Sequence, residues 1–141
     1  MHIAALLVAA SARIENSAID ATRLPTTSFT VHQLPAWLTI PLVLVLHAPA
    51  REDYDPELFI VCKDSAEAIR GTTRLTWQWP EQGGRPSKYR CFTPELSFAV
   101  ESTGEHNIGV YRDADATRPV DAPVPLQIDF AVARRGRNNG N

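Results

Sequence analysis

Apolar and polar residues alternate with period two along several short stretches of this chain, the pattern of strands with one face in a core and one in water. Residues 74–79 place Leu75, Trp77 and Trp79 on one face and Arg74, Thr76 and Gln78 on the other. Residues 96–101 bring Leu96, Phe98 and Val100 together, and residues 126–132 do the same for Leu126, Ile128, Phe130 and Val132. Two runs, 42–46 and 58–62, are apolar on both faces and predict central strands covered on both sides. Weaker candidates lie at 29–34 and 107–111. Asp64 to Glu67 has the spacing of a helix capping box, with Gly71 placed to stop a short helix, although a hairpin loop fits the same residues.

Eleven prolines, at intervals of roughly ten residues over most of the chain, leave little room for long helices, because proline lacks the amide donor and clashes with the preceding helical turn. About eight or nine short strands, with at most one helical turn, predict an all-β fold: a two-layer antiparallel β-sandwich. One domain over residues 1–133 is expected, followed by a polar, basic tail at 134–141 that has no apolar anchor.

The opening run, MHIAALLVAASA, reads in two ways. It has the apolar middle and small-x-small end of a secretion signal, but only His2 stands where a positive start belongs. Asn16-Ser17 then lies between two short alternating runs, as a tight turn between strands would. A retained first strand over residues 3–9 and a cytoplasmic protein are therefore expected.

The stretch from Ala4 to Asn16 resembles the opening of a bacterial domain-of-unknown-function family, number 6941, whose members begin with an apolar strand, a small residue and a tight turn. Leu34-Pro35 followed by Leu42-Val-Leu44 is similar to a second landmark of that family, and Gly104 before Ile108 to Tyr111 to a third. Ser17 stands where the turn glycine is usual, and Ala21 to Leu24 replace a glycine-rich segment. The resemblance implies an immunoglobulin-like sandwich with the first strand retained. It implies no activity.

The net charge of −2 creates no field that would recruit nucleic acid, and three tail arginines (134, 135 and 137) offer at most weak, salt-sensitive phosphate contact. No apolar run reaches the 18 or so residues of a membrane helix. Asp113-Ala-Asp115-Ala-Thr117 resembles the nucleophile loop of haloacid-dehalogenase phosphatases, but only 24 residues follow it and none is lysine, so a polar turn is the expected reading. Asp53 and Asp55, with Asp113 and Asp115, are weak candidates for a metal site, since calcium wants six to eight oxygens. His2, His32, His47 and His106 form no sequence-adjacent ligand pair. Cys62 and Cys91 are expected as free thiols. No general-base and nucleophile pair, elbow or phosphate loop is present, so neither catalytic residues nor a cofactor are expected.

Trp77 and Trp79 read as core on alternation alone. Trp37, with Leu38 beside it, is the aromatic most readily placed on a contact surface. The expected function is non-catalytic contact with a protein partner or a second copy, with an assembly component of a phage or secretion system as a variant. The alternative is binding of a metal or small polar ligand by acidic loops that converge at one end.

Overall fold

The computed structural model describes residues 1–51, 56–79 and 84–131. They form an all-β sandwich whose sheets are antiparallel but for one strand pair, with eleven strands and no helix among the described residues. The strands are β1 (His2–Val8), β2 (Ser11–Glu15), β3 (Ala18–Thr22), β4 (Ser28–Val31), β5 (Ala36–Pro49), β6 (Glu57–Lys63), β7 (Ile69–Thr76), β8 (Ser87–Phe92), β9 (Glu95–Val100), β10 (Gly104–Tyr111) and β11 (Val124–Phe130).

One sheet is built around β5, a strand of 14 residues. β1 pairs with its second half on one side, from His2–His47 to Val8–Leu42. On the other side β8 pairs with residues 44–49 and β9 with residues 36–41, so β8 and β9 act as one interrupted strand. The Leu42 amide donates to the Pro94 carbonyl at the interruption, keeping the ladder continuous. The other sheet has the order β4-β11-β10-β6-β7, and β4 lies parallel to β11.

The facing sides of the two sheets share one core. Leu6 and Val8 of β1, Ile40, Leu42, Leu44 and Leu46 of β5, Leu96, Phe98 and Val100 of β9, and Leu58, Ile60, Ile108, Leu126 and Ile128 of the facing sheet all contribute to it. Each such side chain, fully buried, stabilises the fold by about 1.5–3 kcal/mol. The run at 58–62 is apolar on both faces because it serves two clusters: Leu58, Ile60 and Cys62 enter the main core, while Phe59 and Val61 pack with Tyr111 and Ala116 on the far side of the sheet.

β2 and β3 form a separate hairpin whose turn residues Asn16 and Ser17 both have positive φ, 51° and 63°. That is the type I′ conformation, whose twist matches that of the flanking strands. Its charged pairs, Arg13 with Glu15 and Asp20, are exposed and contribute little.

Four expectations need correction. The number of strands exceeds eight or nine, chiefly because β8 carries no apolar alternation. Of the two readings of the residues after Asp64, the structure has the hairpin loop, between β6 and β7. There the Asp64 carboxylate accepts from the Ala66 and Ala68 amides and from Arg70 Nε, and Glu67 has a φ of 65°. Gly71 stops nothing; it lies inside β7, opposite Cys62. Finally, β7 begins at Ile69 and ends at Thr76, and Phe130 at the end of β11 is exposed.

Asp64 ties this hairpin to the acid stability of the fold. The Arg70 guanidinium first, and then the loop amides, hold its carboxyl below the ordinary 3.8. A depressed carboxyl contributes stability that is present above the unfolded value and is lost as pH falls through the folded one. Asp113 is depressed in the same direction, by Thr117 foremost. The urea midpoint should therefore hold steady above about pH 5 and fall below about pH 4. Asp64→Asn should lower the midpoint at neutral pH and flatten its fall in acid; an unchanged acid profile in that variant would remove Asp64 from this account.

Candidate functional site

The loop that follows β10 holds the motif that most resembled chemistry, and its carboxylate is already occupied. Asp113 accepts from the amides of Thr117 and Arg118 and from the Thr117 hydroxyl, at 2.6–3.1 Å. This closes a turn that lays Ala116, at a φ of 55°, over Tyr111 and Val61. Lys63 completes the cover: its Nζ donates to the Ala116 carbonyl at 2.9 Å and sits 4.7 Å from the centre of the Tyr111 ring. Asp113 thus builds a small outer cluster, and the described residues contain no helix. Asp115 is exposed on the same turn. Asp53 and Asp55 lie outside the described residues. Among the described residues no three His, Cys, Asp or Glu side chains gather as metal ligands do.

Cys62 and Cys91 are free thiols on different sheets. Burial, and then the Asp64 charge, push the Cys62 thiol up to about 12, which makes it a poor nucleophile.

Trp77 and Trp79 continue the core-facing parity of β7 beyond its last paired residue. Trp77 is 8% exposed and meets Phe92 edge-on at 5.1 Å and Trp79 at 5.7 Å. β8 faces this cluster with Lys88 and Arg90, whose cations lie 4.8 Å from the Trp79 ring and 5.4 Å from the Phe92 ring. Cations on aromatic faces explain how a strand with charged inward positions closes a core. An open depression of about 390 Å³ lies beside Trp77, lined by Pro56, Glu57, Thr76 and Gln78. The indole N–H groups of Trp77 and Trp79 are buried without an acceptor among the described residues.

The outward face of the β5 sheet is different in character. Alternation along the strand points Trp37, Thr39, Pro41, Val43, Val45 and His47 of β5 away from the core, and of these Val43 is itself buried. Ala5 and Leu7 of β1, Tyr89 and Cys91 of β8, and Ser97 and Ala99 of β9 flank them. Glu95 is the one formal charge at the outward positions of these four strands. Trp37 is 67% exposed and stands opposite Ala99, a neighbour too small to cover it, whereas Leu38 turns inward against the core. The two contact candidates are therefore on opposite sides of the sheet.

One association escaped the sequence because its members are 45 positions apart. His2 and His47 are cross-strand partners, with ring centres 5.4 Å apart, and Tyr89 continues the row at 5.6 Å from His47. Recognising that β1 and β5 pair in this register was the only signal that joined them.

No protein-family model matches the chain, and no curated protein matches it.

Proposed function

We propose that this protein is a non-catalytic β-sandwich that works by contact with another protein, through the outward face of the β5 sheet and with Trp37 as anchor. The observation that carries the reading is the 67% exposure of Trp37 on a face whose strands present a single formal charge. Interface cores are depleted in charge and enriched in Trp and Tyr, and a few such anchors supply most of the binding energy. Pairing with β9 holds this half of β5 in place, so the indole is presented with little conformational cost.

An immunoglobulin-like connectivity belongs to the same reading. Its support is the division of the N-terminal strands between the two sheets, β1 on β5 and β4 beside the last strand β11, with β10 and β6 next across. Membership of family 6941 and a cytoplasmic location complete the proposal; the first draws on Ala4 to Asn16, Leu34 to Leu44 and Gly104 to Tyr111, the second on the sequence of the first strand.

A photo-crosslinking amino acid at position 37, in the full chain expressed in its native cell, tests it. The expected result is a discrete adduct from position 37 and none from position 105, an exposed site on β10 of the other sheet. No adduct from position 37, or the same adducts from both positions, overturns the reading.

A further inference from the structure

We propose that His2 and His47 form a two-imidazole site for one divalent transition-metal ion of the zinc and copper class. The site is independent of the contact reading above and needs no partner.

The ring-centre spacing fits two ligands on one ion. An imidazole nitrogen binds zinc at about 2.0–2.1 Å, which puts the ion about 3.2 Å from the ring centre, so two rings at a tetrahedral angle have centres about 5.2 Å apart. The His2 and His47 ring centres are 5.4 Å apart, with the planes inclined at 32°. Stacking for its own sake also permits this spacing, so the remaining observations matter.

Neither imidazole makes a hydrogen bond or ion pair with any described residue, which leaves the ring nitrogens available to an ion. The two other histidines do not share this setting. His106 is 1% exposed, with Nδ1 against the Gly104 carbonyl at 3.2 Å, and His32 lies beyond the end of β4. His2 is exposed and His47 half-buried, so an ion can enter and the rings can turn until their nitrogens converge.

The backbone beneath them is fixed. His47 sits in the central strand of its sheet, paired with His2 on one side and Tyr89 on the other. Ligands carried on rigid paired strands lose little freedom on binding, which favours a site with only two protein donors. Among the described residues no third His, Cys, Asp or Glu joins the pair. Imidazole suits zinc, copper and nickel rather than magnesium or calcium, and copper should bind tightest.

Untagged full-length protein, titrated with Cu²⁺ at about pH 7.5 where free imidazole is mostly neutral, tests the site by proton NMR. The paramagnetic ion should broaden the imidazole signals of His2 and His47 at substoichiometric concentration while those of His32 and His106 stay sharp. Calorimetry with Zn²⁺ should return one ion per chain. Losing even an outer partner of a metal ligand costs about 10–100-fold in affinity, so His47→Gln should weaken binding by at least about tenfold. Its thermal midpoint without metal, close to the parent's, shows that the sheet is intact. Broadening of all four histidines alike, broadening of none, or unchanged affinity in His47→Gln overturns the proposal and leaves the pair as an aromatic row.

Discussion

Gly71→Ala is expected to unfold this protein or to lower its stability by about 3 kcal/mol or more, the upper end of what overpacking a filled interior costs. A Cβ at residue 71 would lie 2.1 Å from the Ser97 carbonyl oxygen and within 3 Å of the Phe98 Cα and Cβ. These are atoms of β9, in the opposite sheet, so the clash is with main chain rather than with the end of a flexible side chain. The contact marks where the edge of one sheet meets the edge of the other, and the Thr73 hydroxyl donates to the Glu95 carbonyl at the same seam. Either the sheets separate, losing burial of Phe98 and its neighbours, or β7 shifts and breaks its ladder with β6. Urea denaturation of soluble variant measures the loss. Thr72→Ser, one residue away on an exposed position, should stay within about 0.5 kcal/mol of the parent. A Gly71→Ala protein as stable as that control would mean that the edges do not approach this closely.

Trp77→Ala should cost about 3–5 kcal/mol, because truncating a buried indole loses its burial and leaves a cavity. Against the roughly 5–15 kcal/mol that holds a typical domain together, this is enough to lower the melting temperature sharply or make the variant insoluble. Trp77 contacts Phe92 and Trp79 edge-on, so the loss extends to the rings and to the cations of β8 that rest on them. Emission separates a core indole from a surface platform before any truncation. Trp37 is mostly in water and would dominate quenching, so the measurement belongs in a Trp37→Phe background. There, emission should be blue-shifted and largely resistant to iodide. Red-shifted, freely quenched emission, or a Trp77→Ala protein that melts with its parent, would defeat the core assignment.

What was legible in the sequence was whatever is written locally. Period-two alternation marked β9 and the buried part of β11, because each strand has one wet face and one dry face. The double-faced runs marked β5 and β6 as central, and Asn16-Ser17 marked a hairpin turn from local backbone preference alone. Parity along 75–79 put Trp77 inward even though the paired strand stops at Thr76.

What only the tertiary structure decided depends on neighbours far along the chain. β8 was invisible because its inward positions hold Lys88 and Arg90, and these become core residues only when Trp79 and Phe92 supply aromatic faces beneath their charges. Gly71 looks like a helix stop until β9 is brought against it. Asp113 reads as part of a polar turn, but that Thr117 and Arg118 fold back to use its oxygens is visible only in the structure. His2 and His47 are unrelated in sequence and adjacent in space, since the β1–β5 register is set by burying Leu6 and Val8 beside Leu42 and Leu44. Alternation within a strand states which face is wet. Which residues share that face is decided by strand pairing, and pairing follows from the burial of the whole sheet rather than from any one segment.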